Sequence, residues 1–362
     1  MTLIPMSWSR VLTPLLQPLR WLVKRRWLRE AEVDAVLAWL QPGWRLNRVF
    51  ARVEGREWVA EDMLALRLRC NGNARGWRAG QHVQLYLQLD GVRHSRSYSL
   101  TRVGCGGRIE LAIRRQPGGR LSNRLLDHLA VGGVLELGQA QGELCWPQES
   151  AGVVLLAAGS GITPLLGLLR EALARGFAAP ISLLHYIREQ GQRPFVEELQ
   201  QLMQHHPNLS VRWALTGEPA ADDSLRGRFT GEHLQGLELD NVLACGPAGF
   251  VETVAQHWRG PLQVEAFTAP ERSVQPGSAV RLGFARTRQQ VTGDSARSLL
   301  EQAEAAGLRP SHGCRQGICA SCTCTLLSGT VRDLRNGALF AEPGQPIRLC
   351  ISAPVGDVDI DL

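Results

Sequence analysis

Three cysteines at C-x4-C-x2-C spacing, Cys314, Cys319 and Cys322, constrain this chain more than any other feature. A fourth, Cys350, follows far downstream in Arg348-Leu-Cys-Ile. Four thiolates so spaced can hold a [2Fe–2S] cluster, with a tight loop presenting three and a distant segment closing the cage. Gly317 falls where a loop wraps a bulky group and a Cβ would clash. Loop amides aimed at the sulfides would stabilise the reduced, more negative state. A structural zinc site usually pairs two C-x2-C knuckles, and only one is present. A disulfide framework suits small secreted chains, whereas this one has 362 residues and no secretory signal. Cys324 lies two residues past Cys322, on the same face if the segment is a strand, and competes as a ligand. Cys350 is preferred, because the closing ligand is expected far away in sequence. Cys70, Cys105 and Cys145 are isolated and read as small buried apolar residues.

The length calls for two or three domains. A hydrophobic content of 44% with 20% charged residues is that of an ordinary soluble globular protein. The net charge of +6 permits an anionic partner, whether a membrane surface or a nucleotide. No nucleic-acid partner is expected. Nine cysteines without a secretory signal indicate a reducing, cytoplasmic setting. The uncharged segment 150–169 is broken by Gly159-Ser-Gly161 and Thr163-Pro164, so it reads as strand, loop and helix, not as a membrane span.

Residues 1–45 form a helical extension holding Trp8, Trp21, Trp27, Trp39 and Trp44, half of the ten tryptophans. Basic residues cluster at Arg20, Lys24, Arg25, Arg26 and Arg29, and Leu19, Leu22, Val23 and Trp27 follow helical spacing. Two readings fit: an interfacial helix making peripheral contact with an anionic membrane, or an extension packed on the chain's own barrel. Pro5, Pro14 and Pro18 interrupt the pattern and favour the second.

Residues 46–147 read as a small antiparallel β-barrel with strands at 63–68, 82–89, 97–100, 108–113 and 134–137, an Asp90-Gly91 hairpin, and a helix at 122–130. Residues 148–269 alternate strand and helix, the pattern of an α/β domain with a parallel sheet. Residues 270–277 have linker composition. Residues 278–362 make a compact α+β unit around the cysteine loop.

Other motifs carry chemistry. Arg96-Ser-Tyr98-Ser99 lies on a barrel strand, where alternation puts Arg96 and Tyr98 on one face. Arginine suits a phosphate, and a tyrosine ring suits stacking on a flavin. The turn Gly119-Arg120-Leu121-Ser122 opens a helix, an anion site fit for a pyrophosphate. Gly159-Ser160-Gly161-Ile-Thr163-Pro164 joins a buried strand to a helix, and its glycines let phosphate oxygens approach the backbone. Cys245-Gly246-Pro247 ends a later strand of the same sheet, facing the crevice where ligands bind or buried as a structural cysteine. Arg188 and Arg193 follow the second strand and offer positive charge to a 2′-phosphate, while Glu189 could instead bind ribose hydroxyls.

Taken in order, R-x-Y-S, G-x-G-x-T-P, C-G-P and the cysteine loop resemble the ferredoxin–NADP reductase superfamily with a fused C-terminal plant-type ferredoxin domain. Reductase components of ring-hydroxylating oxygenases and acyl-CoA desaturases share this order. The resemblance implies an antiparallel flavin barrel, a nucleotide-binding α/β domain and an α+β ferredoxin-like domain. It implies that electrons pass from NADPH or NADH through FAD and a [2Fe–2S] cluster to a partner protein, a fatty-acyl desaturase or, alternatively, a multicomponent oxygenase. Arg96 would bind the flavin phosphate, Tyr98 would pack on the isoalloxazine and Ser99 would hydrogen-bond near N5. Gly119 to Ser122 would hold the flavin pyrophosphate. Gly159 to Thr163 would bind the phosphates of the nicotinamide nucleotide, with Cys245 near the nicotinamide. Glu265-Ala-Phe267 resembles the family's E-x-F, whose aromatic lies near the flavin.

Overall fold

The computed structural model describes residues 5–89, 92–217, 225–237, 240–267, 277–313, 315, 317, 320–335 and 337–362. The Asp90-Gly91 turn, most of the linker, Cys314 and Cys319 lie outside the described residues. The chain divides into two compact units, Met1–Phe267 and Thr268–Leu362.

Three short helices open the first unit: α1 (Met6–Leu12), α2 (Gln17–Lys24) and α3 (Glu30–Leu40). The prolines that interrupt the apolar pattern fall at segment starts. Pro14 is the second residue of a single 3-10 turn and Pro18 lies in the first turn of α2, where the missing N–H costs little. The inner faces bury Leu16, Val33 and Leu37 together with Trp44 and Leu46. Buried Asp34 on α3 accepts the Leu46 N–H at 2.7 Å and Arg48 Nη2 at 3.0 Å. Arg20 donates to the Leu46 carbonyl at 2.9 Å and to Asn73 Oδ1 at 2.8 Å. The extension is therefore packed on its own barrel. No helix among the described residues is long and apolar enough to cross a membrane.

The barrel strands are β1 (Val49–Ala60), β2 (Met63–Cys70), β3 (His82–Leu89), β4 (Val92–Val103), β5 (Arg108–Arg114) and, after helix α4 (Arg120–His128), β6 (Val134–Leu137). They close in the order β1-β2-β5-β4-β3-β6. Every second residue points inward, so Leu64, Leu66 and Leu68 meet Val83, Leu85, Leu111 and Ile113 in one core. Leu121, Leu125 and Leu126 of α4 join that core. Strand β1 is absent from the expected strands. Its register shifts between Val53 and Gly55, and its outer half carries Glu54, Arg56 and Glu57, which mask the alternation.

The sheet that follows is wholly parallel. It comprises β7 (Val153–Ala158), α5 (Ile162–Ala174), β8 (Ile181–Ile187), α6 (Val196–His205), β9 (Leu209–Leu215), β10 (Leu225–Arg226), β11 (Asn241–Gly246), α7 (Ala248–His257) and β12 (Leu262–Ala266). The order β10-β9-β8-β7-β11-β12 places the reversal of winding between β7 and β11. Barrel and sheet pack closely. A Cβ on Gly167 of α5 would lie 2.3 Å from the Leu100 carbonyl oxygen of β4. Arg170, one helical turn on, donates to the Thr101 carbonyl at 2.8 Å and to Glu110 Oε1 at 2.7 Å.

The second unit carries β13 (Ala279–Phe284), β14 (Gln289–Asp294), α8 (Leu299–Ala305), β15 (Thr323–Ser328), β16 (Val331–Asp333), β17 (Leu339–Phe340), β18 (Pro346–Arg348), β19 (Ser352–Pro354) and β20 (Val358–Ile360). Helix α8 starts at a reciprocal cap: Ser298 Oγ accepts the Glu301 N–H at 3.3 Å and the Glu301 carboxylate accepts the Ser298 N–H at 3.2 Å. Cys322 and Cys350 lie in the apolar core of this unit, with Leu299, Leu349 and Ile351.

Candidate functional site

At the switch point between β7 and β11, two motifs far apart in sequence meet. Strand β7 ends in Gly159-Ser160-Gly161, and α5 begins immediately after it. A Cβ on Gly161 would lie 2.0 Å from the Cys245 carbonyl oxygen of β11, so only glycine lets the turn rest on that strand end. Gly246 is similarly pressed against Ala158, and the Phe267 N–H returns to the Gly246 carbonyl at 2.8 Å. Thr163 Oγ1 donates to the Ser160 carbonyl at 3.0 Å and, with Pro164, is buried at the start of α5. Pro247 caps α7. The crevice outside the carboxyl ends of such strands is where open α/β sheets bind nucleotides.

His185 on β8 lies buried beneath this turn and its Nε2 donates to the Gly159 carbonyl at 2.8 Å. Desolvation by burial, partly offset by that hydrogen bond, holds its imidazole at about 4. From the barrel side, Arg114 at the end of β5 lies against Gly159 while its Nε donates to Asp62 Oδ2 at 2.6 Å. Sequence reasoning misses both His185 and Arg114 as parts of the site. His185 carries no motif, but the Arg114-Arg115 pair just ahead of the Pro117-Gly-Gly turn is a charge signal that the sequence does offer.

The barrel motifs lie along β4 and α4. Ser99 is buried and pairs across strands with His82 of β3. Tyr98 packs partly against the barrel core, and burial raises its hydroxyl pKa. Arg96 is exposed, with Nη1 on the Ser95 carbonyl at 2.7 Å. Gly119 caps α4. A Cβ there would sit 2.4 Å from Ser122 Oγ, so glycine keeps the turn close to that hydroxyl. Leu121 and Ser122 are buried and Arg120 is exposed.

Between the two sets lies a buried polar pair. His82 Nδ1 stands 3.3 Å from Glu265 Oε1 on β12. Neither ring nitrogen of His82, nor Glu265 Oε2, has a hydrogen-bond partner among the described residues. Orphaned buried polar atoms beside Ser99 fit a site completed by a polar ligand. Cys245 is fully buried, and burial, then the Glu265 charge, pushes its thiol well above the usual range. It is a neutral thiol.

The two arginines expected at a 2′-phosphate part company. Arg188 is exposed just beyond the carboxyl end of β8. The Arg193 guanidinium lies 5.4 Å from the Trp213 ring centre and lines a cleft of about 500 Å³ that also contains Glu57, Glu61 and Glu197. Those carboxylates would oppose a phosphate there.

In the second unit, Cys322 Sγ and Cys350 Sγ are 3.3 Å apart, and the Gly317 N–H points at Cys350 Sγ from 3.2 Å. Gly317 has φ +74°, and a Cβ there would meet Ile351 at 2.5 Å. Arg348 donates to the Gly317 carbonyl and holds the loop from below. Cys324 turns away, its thiol 3.3 Å from the Asp361 carbonyl. Two converging thiols with an amide aimed at sulfur fit an iron–sulfur cluster. Of the isolated cysteines, Cys70 is buried as expected, but Cys105 and Cys145 are exposed, because each sits in a turn or loop outside the strands.

Family comparison agrees with this layout. Residues 51–146 match the oxidoreductase FAD-binding domain, 155–256 the oxidoreductase NAD-binding domain and 284–355 the 2Fe-2S iron–sulfur cluster binding domain. The chain is 31% identical over 342 residues to an NADPH oxidoreductase of Mycobacterium tuberculosis, covering 91% of this chain and 88% of that protein. It is 32% identical over 296 residues to one of the subunits of 1,2-phenylacetyl-CoA epoxidase from Escherichia coli, covering 74% and 82%. Phthalate dioxygenase reductase shares the fold, with a TM-score of 0.57 at 23% identity over 86% of this chain and 97% of that one. With three domain matches in order and a relative aligned over nearly its whole length, the chain belongs to the ferredoxin–NADP reductase superfamily, as an FAD-dependent, NAD(P)H-linked oxidoreductase with a C-terminal [2Fe–2S] domain.

Proposed function

We propose that this oxidoreductase passes electrons from NADPH to a separate fatty-acyl desaturase. Bound FAD supplies exchange between a hydride pair and single electrons, and a bound [2Fe–2S] cluster carries electrons singly. Arg96 and the turn Gly119–Ser122 are assigned to the flavin phosphates, Tyr98 to the ring face and Ser99 to its polar edge. Gly159, Ser160, Gly161, Thr163 and Pro164 shape the seat of the nucleotide phosphates, opposite Gly246 and Pro247. Cys245 and Phe267 line the nicotinamide side. Cys314, Cys319, Cys322 and Cys350 are the iron ligands. Arg188 is the residue favouring NADPH, because it is free of the acidic surround of Arg193.

The observation that carries the desaturase reading is the extension of residues 1–45, packed outside the barrel and rich in tryptophan and arginine. It suits an acceptor at a membrane, and in this reading the enzyme works at the cytoplasmic face. A second reading, a reductase serving an oxygenase, draws on the epoxidase relative and on a haem-dependent oxidative N-demethylase beta subunit that is 34% identical over 78% of this chain. Reconstitution tests the choice. NADPH-dependent desaturation of an acyl-CoA by a membrane-bound desaturase supports the first. Turnover only with a membrane-free oxygenase supports the second and removes the first.

A further inference from the structure

The inner faces of the N-terminal helices are accounted for by the barrel, but their outer faces are not. Eight of the fifteen large apolar side chains exposed among the described residues fall between Trp8 and Trp39. Trp8, Val11 and Leu15 follow one another at three- and four-residue steps on the outward side of α1 and the turn after it, while Leu16 points in. On α3, Val36 and Trp39 face outward, 61% and 74% exposed, while Val33 and Leu37 are buried. Between these helices Trp21 and Trp27 stack edge to face with centroids 5.6 Å apart, and the Arg25 guanidinium lies 4.3 Å from the Trp21 ring centre.

Charge decides what such a face fits. Lys24, Arg25, Arg26 and Arg29 are all exposed, four bases within six positions and no acid among them. Of the acids that follow, Asp34 is buried against Arg48, Glu30 accepts from Asn47 at 3.2 Å, and exposed Glu32 stands 3.9 Å from Arg29, which leaves Lys24, Arg25 and Arg26 as the excess charge. The surface is therefore apolar and cationic. Exposed patches of this kind mark interaction sites. Tryptophan prefers the headgroup level of a bilayer, and lysine and arginine are attracted to an anionic leaflet.

We propose that the outer face of α1–α3 binds the surface of an anionic phospholipid bilayer, with the tryptophans at headgroup depth and the basic turn 24–29 on lipid phosphates. The proposal deepens the membrane part of the functional reading and holds whatever the electron acceptor is. The test is flotation of the full-length holoprotein with protein-free vesicles, one set phosphatidylcholine alone and one containing phosphatidylglycerol. The expected result at about 0.1 M salt is binding to the anionic set at least tenfold tighter than to the neutral set. That binding should fall at least tenfold in 0.5 M NaCl, in Trp8→Ala/Trp27→Ala/Trp39→Ala and in Lys24→Glu/Arg25→Glu/Arg29→Glu. NADPH–ferricyanide reduction by each variant checks its folding. Should a variant misfold, quenching of wild-type tryptophan fluorescence by brominated phosphatidylglycerol replaces it, and no quenching overturns the proposal. Failure to float with anionic vesicles, or equal binding by the tryptophan variant, also overturns it. Flotation without desaturase turnover would remove the acceptor assignment and leave the lipid site intact.

Discussion

Cys322 and Cys350 are separated by 28 positions, yet their sulfur atoms end 3.3 Å apart, with the Gly317 amide on one of them. Spacing alone leaves Cys324 as a rival, because a strand puts it on the face of Cys322. The structure shows Cys324 on the strand facing the Asp361 carbonyl, a direction that sequence periodicity cannot distinguish. Replacing Cys322 or Cys350 with serine should abolish the iron–sulfur absorbance and paramagnetic signal while FAD content and NADPH–ferricyanide activity persist. Cys324→Ser should retain the cluster. Loss of the cluster in Cys324→Ser alone would reverse the assignment. His185 gives a second test at this scale. Its folded-state value of about 4 lies below the 6.5 of the unfolded chain, so the unfolded state takes up the proton first as pH falls. Stability is undiminished above pH 6.5, and about 3 kcal/mol is lost on going down to pH 4. His185→Gln should lack that part of the acid loss in urea unfolding. An identical acid limb in both proteins would contradict the buried neutral imidazole.

At the scale of elements, the strands legible in the sequence are those with unbroken alternation or continuous apolar runs. Strands β3 and β6 have the expected bounds. Strand β1 is hidden by its bulge and charged outer half, and helix α4 runs Arg120–His128 where 122–130 is expected, because its N-cap is Gly119. The contacts that lock elements together are not legible at all. Arg170 of α5 is buried and reaches Thr101 and Glu110 on the barrel and Glu198 on α6. Nothing in its sequence neighbourhood marks it, since an arginine on a helix is ordinarily solvated. Removing it would leave buried Glu110 without a counter-charge, held only by the Thr101 hydroxyl at 2.8 Å. Arg170→Ala should therefore destabilise the first unit by about 3–5 kcal/mol, measured as a lower urea midpoint. A change under about 1 kcal/mol would mean that the barrel and sheet are held by apolar packing alone.

For the whole molecule, the order of motifs along the chain is the strongest signal. Each motif alone is modest, but the fold brings the glycine turn after β7 against the end of β11, and the buried Ser99, His82 and Glu265 between barrel and sheet. That convergence arises from tertiary packing at a switch point, so the sequence can name the motifs without showing which of them touch. Nor can it reveal His82 or His185, whose roles depend on which strands face the crevice. Electrons pass from nicotinamide through flavin to cluster, and an anaerobic visible-spectrum titration of the purified protein with NADPH and, separately, NADH checks that route. Flavin and iron–sulfur absorbance should bleach together, faster with NADPH. Bleaching of the flavin while the cluster stays oxidised, or a protein with no visible chromophore after reconstitution with iron, sulfide and FAD, would contradict it.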